Sequence, residues 1–334
     1  MALETAATLL GVGYRATPTY ISETVKDRYY NKLFLRIAEK KLINKQLGQL
    51  NQTVPQGEGG YGTGVLHWTK FLNLSDITSG SGEGVPTTCV ALSAIMVTGT
   101  TAQYDNAVSI SDILAQTSFG DIMKQAISRL AYNAGISIDT LIRNAVYISG
   151  VNKMATAAAS ITAIPQTAYL SVNEVKKAVR QLRRNDAPEV SGGSYVAPVH
   201  PDQLYDLMTD TTTGGWMDAQ KYTDNTELMN GEVGKIAGCR FLESTNAGYP
   251  GQGSIAACGV VASSTLYVTP FFGADAFGVT ELQNLKTYVK PFGSGGTGDP
   301  TNKISTAGWK TSFGTTVLNS SFYTSLVHSV SSTA

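Results

Sequence analysis

From Ser118 to about Ser149, apolar residues recur every three or four positions. Phe119, Ile122, Met123, Ala126, Leu130, Ala134, Ile138, Leu141, Ala145 and Ile148 fall on one stripe. That spacing predicts a helix of roughly 45 Å at about 1.5 Å per residue, with Gly135 as a candidate bend. A helix of that length is a beam to which other parts attach. A shorter amphipathic helix is predicted from Asp27 to Gln46, where Leu33, Ile37 and Leu42 stand near helical spacing between lysines and arginines. A third follows in "SVNEVKKAVRQLRRND". Ser171 and Glu174 have the spacing of a capping box, and Val172, Val175, Ala178, Val179 and Leu182 form the apolar face.

Other stretches alternate in the manner of strands. "VPQGEGGYGTGVLHWTKFLNLSDITSGSGEGVPTTCVALSAIMVTG" joins β-type runs through two glycine-rich breaks, which predicts a long hairpin tipped by "TSGSGEG". Strands are expected at "SYVAPVH", "KIAGCRFLES", "GSIAACGVVASSTLYVT", "ELQNLKTYVK" and "GWKTSFGTTVL". Residues 1 to about 25 show no sustained periodicity and read as an extended arm lying on a neighbour. The pattern as a whole is α+β.

The chain has 334 residues, of which 42% are hydrophobic and only 15% charged. It therefore folds around a real core, but its surface is rich in uncharged polar groups of the kind partners cover. Twenty-five basic residues balance twenty-five acidic ones, which removes the global attraction to phosphate of a dedicated nucleic-acid binder. Cys89, Cys239 and Cys258 are widely spaced with no C-x-x-C unit, and read as reduced, buried thiols. Glu4 stands where a secretory peptide needs positive charge, and no apolar run reaches about 18 residues, so neither export nor a membrane span is expected.

Candidate chemistry is sparse. "GEGGYG" matches G-x-G-x-x-G through Gly57, Gly59 and Gly62, but no strand precedes it and no helix follows, so it reads as a loop. In "VAPVHPDQLYDLMTD", His200 and Asp202 offer two groups for a metal or for acid–base work. The chain's other histidines, His67 and His328, stand at no recognisable ligand spacing. The same residues also describe a strand-to-helix junction, with Pro201 at the first helical position and Asp202 at the positive helix end. Leu204, Tyr205 and Met208 are then expected to face inward. Lys176, Lys177, Arg180, Arg183 and Arg184 form a basic helix face, which either meets phosphate or an acidic subunit edge or is simply solvated. No nucleophile elbow, Cys/His pair or phosphate-loop lysine is present.

The segment continues as "HPDQLYDLMTDTTTGGWMDAQKYTDNTELMNGEVGKIAGCRFLEST". H-P-D before a helix, a W-x-x-A-x-K-Y-like stretch, N-G-E-V-G and G-x-R-F-x-E-S, in that order, resemble tailed-phage major capsid proteins with the HK97 fold. "VKPFGSGGTGDPTNKISTAGWK", which holds Trp309, is similar to the same family's passage from K-x-x-G through D-P to G-W-K. The resemblance extends over most of the chain after about residue 25. It implies an N-arm and first helix over 1–45, an E-loop over 46–95, and a peripheral domain over 96–154 with its spine helix at 118–149. An axial domain would follow over 155–269, and 270–334 would return to the peripheral domain.

The implied function is that of a structural subunit, not an enzyme, with no catalytic, cofactor or metal residues. Copies would close as hexamers and pentamers into an icosahedral head around double-stranded DNA, in a virion assembled in the bacterial cytoplasm. Implied partners are further copies of the chain, a portal protein, separate scaffolding and decoration proteins, and packaged DNA through non-specific contact; no membrane is involved. Lys70, Gly80 and Gly82 of the hairpin, the basic helix face and Trp309 are then the expected interaction residues. Some members of the fold crosslink a lysine to an asparagine, but nothing around Lys70 sets up that reaction. The alternatives are an encapsulin-like nanocompartment shell and a metal-dependent hydrolase using His200 and Asp202.

Overall fold

A computed structural model describes residues 29–50, 65–80, 82–84, 86, 89–149, 152–158, 163–190, 193–210, 232–248, 259–261, 264–295 and 298–331. The expected arm, the G-x-G-x-x-G match, Cys258 and most of the passage around Trp216 lie outside them. The helices are α1 (29–39), α2 (Asp112–Thr117), α3 (Ile122–Ser149), α4 (Val172–Arg184) and α5 (Pro201–Thr209). The strands are β1 (Gln49–Leu50), β2 (Val65–Phe71), β3 (Ala94–Thr100), β4 (Ala102–Ser111), β5 (Asn152–Met154), β6 (Tyr195–Val199) and β7 (Glu232–Ile236). They continue with β8 (Cys239–Glu243), β9 (Gly259–Val261), β10 (Ser264–Phe272), β11 (Phe277–Lys290), β12 (Ile304–Val317) and β13 (Tyr323–Ser329).

These strands make a four-stranded sheet in the order β1-β11-β12-β4 and a seven-stranded sheet in the order β5-β13-β10-β6-β8-β7, with β9 beside β10. The expected division after residue 269 does not follow the sheets. β11 and β12 build the four-stranded sheet, whereas β13 joins the other between β5 and β10, pairing antiparallel with β10 from Leu266↔Ser329 to Phe272↔Tyr323. A large core spans both. It contains Ile142 and Val146 of α3, Val175 and Leu182 of α4, Phe241, Phe272 and Val327 of one sheet, and Phe277 and Phe313 of the other.

The long helix begins at Ile122 rather than Ser118. Gly120 takes a left-handed turn at φ 101°, and the Asp121 carboxylate accepts the Lys124 N–H at 3.1 Å, which starts the helix and leaves Phe119 exposed. Its buried stripe also differs from the expected one. Leu130, Ala134 and Ile138 are buried as the pattern requires, but the stripe continues through Ile142, Val146 and Tyr147, while Ala145 is exposed. Two buried polar residues on that face, Asp139 and Arg143, hid it from a reading based on hydrophobicity. Gly135 serves close packing: a Cβ there would lie 2.8 Å from the Ala38 carbonyl oxygen and 2.9 Å from Lys41 Cβ. The end of α1 thus lies directly on α3. On α1 the residues that bury fully are Phe34 and Ala38, with Leu33 and Ile37 half-buried beside them. With Ile127, Leu130, Ala131, Ala134, Ala307 and Trp309 they form a second, smaller core.

β2 and β3 form the predicted hairpin, paired antiparallel from Val65↔Thr100 to Phe71↔Ala94, so its return strand runs past residue 95. Trp68 anchors the base. A Cβ on either Gly99 or Gly278 would come within 2.9 Å of the indole, so the two glycines admit the ring between β3 and β11. Beyond Phe71 the described residues of the connection are exposed, Gly80 and Gly82 among them. Cys89 is exposed there, contrary to expectation, because the connection has no core in which to bury a thiol. Cys239 on β8 is buried as expected, and burial pushes its thiol pKa up.

Candidate functional site

The strand-to-helix junction at His200 is the densest cluster of chemistry-bearing side chains that the sequence singled out. β6 runs fully buried to Val199, His200 takes an extended conformation, and Pro201 opens α5. Gln203 Oε1 accepts the His200 backbone N–H at 2.8 Å, which closes a capping box. His200 Nδ1 stands 3.4 Å from the Asp202 N–H and 3.1 Å from Asp202 Oδ2, so one tautomer accepts from the backbone and the other donates to the carboxylate. Burial holds the His200 pKa below its ordinary value against the opposing pull of Asp202.

Each aspartate of this helix has a structural hydrogen-bonding partner. Tyr267 Oη donates to Asp202 Oδ2 at 2.6 Å. Asp206 accepts the Ser331 N–H at 3.0 Å and also its hydroxyl, which holds the chain after β13 against α5. Asp210 Oδ2 accepts the Val172 N–H at 2.9 Å and so caps the start of α4. The inward face of α5 is Gln203, Leu204, Asp206 and Leu207; Tyr205 is 65% exposed and Met208 is also exposed, so the expected inward set holds only for Leu204. The face carries polar residues because the surface beneath it is polar.

Beneath α5 lies His328, one of the histidines at no recognisable spacing. Its Nδ1 sits 2.8 Å from the Ser329 carbonyl oxygen, and its Nε2 lies 3.2 Å from Gln203 Nε2 and 2.9 Å from Thr269 Oγ1. The neutral Nδ1–H tautomer satisfies all three: it donates to the carbonyl and accepts from Gln203 and Thr269. Burial lowers its pKa to about 4, with Asp206 and Glu174 pulling weakly the other way. His67 lies exposed on β2, in a different sheet. Among the described residues no three His, Cys, Asp or Glu side chains converge as metal ligands. The cluster does what hydrogen bonds do inside a fold: it joins β6, α5, β10 and β13.

A second polar hub was not legible in the sequence. Asp139 accepts the Asn44 N–H at 2.7 Å, Asn44 Nδ2 at 2.9 Å and Asn246 Nδ2 at 3.0 Å. Arg143, one turn on, donates through Nη1 to Asn246 Oδ1 at 2.6 Å and to the Asn246 carbonyl at 2.9 Å. Asn246 thus ties the loop after β8 to α3, and Asn44 ties α3 to the turn after α1. Desolvation raises the Asp139 pKa in spite of these donors and of Arg143.

The remaining sequence candidates are scattered over the surface, with one exception. Lys176, Lys177, Arg180, Arg183 and Arg184 are exposed along α4. Lys177 pairs with Glu174 at 2.7 Å and Arg183 with Glu189 at 3.5 Å. Lys153 reaches Gln181 Oε1 at 2.9 Å beside them, its pKa lowered by desolvation and then by Arg180 and Arg184. Lys70 Nζ lies 5.8 Å from the centre of the Phe322 ring, over a cleft of about 730 Å³ at the hairpin base. Gly80 and Gly82 lie in the exposed hairpin connection. Trp309 is the exception: it is 4% exposed, and its Nε1–H donates to Asn133 Oδ1 at 3.3 Å, so it joins β12 to α3 inside the subunit. A surface feature with no internal explanation is the hairpin, which exposes Phe71, Leu72, Leu74, Ile77, Val90 and Leu92. Such a patch on a folded protein marks an interface.

Comparison with known proteins bears on what that interface joins. The family described as phage capsid protein matches residues 96–327. No curated protein sequence matches the chain. Among solved structures, the capsid of Ralstonia phage GP4 is similar with a TM-score of 0.67 at 15% identity, over 86% of this chain and 88% of that one. The capsid of Cyanophage P-SCSP1u gives 0.61 at 17% identity, over 87% and 89%. A virus-like particle from Pyrococcus furiosus gives 0.52 at 10% identity, over 90% and 99%. At these identities the likeness is one of fold.

Proposed function

The chain belongs to the phage capsid protein family, and from that premise we propose that its copies close as hexamers and pentamers into an icosahedral head around a double-stranded DNA genome. It is a structural capsid subunit with the HK97-type fold, located in the virion shell. In this reading residues 1–45 are the N-arm and first helix, the β2–β3 hairpin is the E-loop, α3 is the spine of the peripheral domain, and α4, α5 and the seven-stranded sheet form the axial domain.

The observation that carries the reading is the hairpin. Its exposed apolar residues lie outside both cores, at the end of an arm anchored by Trp68. Burying them against another copy releases about 25 cal/mol per Å² of apolar surface, and closed geometry multiplies many such weak contacts into a durable shell. Assembly takes place in the host cytoplasm, with a separate scaffolding protein, a portal protein at one vertex and decoration proteins as further partners. Balanced charge leaves most neutralisation of the packaged DNA to mobile counterions. The hydrolase alternative loses its support because His200 and Asp202 already have structural partners.

Nuclease treatment of particles purified from infected cells tests the reading against the nanocompartment alternative. Shells of this chain holding a protected, genome-length duplex are expected. DNA-free shells loaded with one enzyme would contradict it.

A further inference from the structure

The net charge of zero conceals a segregation. Residues 29–45 contain Lys32, Arg36, Lys40, Lys41 and Lys45 against Glu39 alone. The fold adds two cations of α3 to this basic stretch. The end of α1 lies on α3 at Gly135, and Lys32, Arg36 and Lys40 are exposed along α1 and the turn that closes it, while Lys124 and Arg129 are exposed on α3. Lys32 and Arg36 stand four residues apart on one face of α1, about 6 Å along its axis.

Between α1 and the first half of α3 runs an open groove of about 650 Å³, lined by Ile37, Lys124, Gln125, Arg129 and Tyr132. Lys41 Nζ stands 5.3 Å from the centre of the Tyr132 ring, which holds a further cation at the groove. Asp121 also lines it, but its carboxylate accepts the Lys124 N–H at 3.1 Å that starts α3. Among the described residues no acid lies within ion-pairing distance of Lys32, Arg36, Lys40, Lys41, Lys124 or Arg129. The basic face of α4 differs on both counts. Glu174 and Glu189 pair with its Lys177 and Arg183, and a single helix makes a ridge rather than a groove. The hollow between residues 40–43 and 232–246 contains Glu232 and Glu243, which repel an anion.

Unpaired cations from two helices, around a hollow whose walls carry hydrogen-bond donors, fit a polyanion. A protein guest fits less well, because the centre of a protein interface is apolar and poor in charge, whereas a nucleic-acid interface is polar and strongly positive. Here Ile37 is half-buried, and the other walls named are charged, amide or phenolic. Resting on the shell-subunit reading, we propose that this groove is where the subunit meets the sugar–phosphate backbone of the enclosed duplex. Arg36, Lys40, Lys41, Lys124 and Arg129 reach phosphates, and Gln125 and Tyr132 donate hydrogen bonds to them. A duplex offers one charge per about 1.7 Å of its axis, so several phosphates come within reach of cations spread over two turns of helix. Contacts to phosphate carry no sequence information, as a shell that encloses any stretch of a genome requires. A few such contacts per copy do not neutralise the genome; they fix where it touches the wall. The groove must then open toward the lumen.

Binding of the full-length chain to a short labelled duplex of mixed sequence, read by fluorescence anisotropy, tests this. Wild type should bind with an affinity that falls with salt, at a log–log slope of roughly −3 to −5. Arg36→Gln with Lys40→Gln, and separately Lys124→Gln with Arg129→Gln, change exposed side chains and should keep the wild-type unfolding midpoint. Each pair should weaken binding by about tenfold and flatten the slope by about two. Arg180→Gln with Arg184→Gln on α4 serves as control and should bind as wild type. Polyglutamate at equal charge should leave the duplex bound. If the groove pairs bind as wild type, if the α4 pair loses as much, or if maps of the particle place the groove on the outer surface, the inference is wrong. Displacement by polyglutamate would overturn it in favour of an acidic protein segment, and groove variants that no longer form shells would overturn it in favour of a subunit contact. Wild-type chain that binds duplex but forms no shell would instead overturn the shell-subunit reading beneath it.

Discussion

His328 shows how a residue that resembles a ligand becomes a structural group. Its neutral ring accepts from Gln203 and Thr269, so protonating Nε2 would set its N–H against the Gln203 amide donor in a buried site. A histidine whose folded pKa is depressed stabilises fully above its unfolded value of 6.5, and that stability is lost as pH falls toward about 4. Unfolding midpoints should therefore drop over this window, by up to about 3 kcal/mol from this group, and His328→Gln should flatten the drop. An equal slope in the variant would assign the effect elsewhere. Asn246 sits at the other hub, and Asn246→Ala removes a donor from Asp139 and from Thr140 and a side-chain acceptor from Arg143. A loss of about 2–3 kcal/mol is expected in denaturant titration; a change within error would mean that the hub carries no load. Local sequence located the α5 start through Pro201 and Asp202. It did not give the partners, because Tyr267 lies 65 residues from Asp202 and Ser331 lies 125 from Asp206.

Helices were legible wherever one face was purely apolar. α4 folds with the capping residue and face its sequence specified, Ser171 Oγ accepting the Glu174 N–H at 3.4 Å. α3 was legible in extent but not in the second half of its face, because Asp139 and Arg143 are buried where hydrophobicity predicts apolar residues. The role of Gly135 was hidden for a related reason: close approach by another helix leaves no periodic trace. Gly135→Val should push α1 off α3 and cost about 1–3 kcal/mol in thermal unfolding, whereas an unchanged midpoint would show that α1 is held by other contacts. The hairpin is an element whose stability and function separate. The Leu72 N–H donates to the Ser93 carbonyl at 2.9 Å, so the two arms are adjacent where the exposed connection begins. Replacing residues 74–91 by a short glycine-containing turn should preserve the unfolding midpoint and abolish assembly. Shells formed by the shortened chain would remove the hairpin from the account.

Across the whole molecule, the resemblance carried by H-P-D, N-G-E-V-G, G-x-R-F-x-E-S and G-W-K pointed to a shell protein, and the hairpin and long helix are consistent with it. The way β13 leaves the C-terminal segment to complete the seven-stranded sheet was not visible, since strand order depends on contacts across the chain. Low charge content has a physical counterpart in the structure: exposed apolar and uncharged polar residues that a monomer leaves wet and an assembly covers. Among the described residues no helix is long and apolar enough to cross a membrane, and no cluster is arranged to hold a metal. The central claim is that this surface exists to meet copies of itself in a closed shell. Cryo-electron microscopy of particles purified from infected cells measures that directly. The account predicts icosahedral particles whose density repeats this fold, with each hairpin lying over a neighbouring subunit. A preparation that remains monomeric at high concentration, with the hairpin ordered against its own chain, would contradict it.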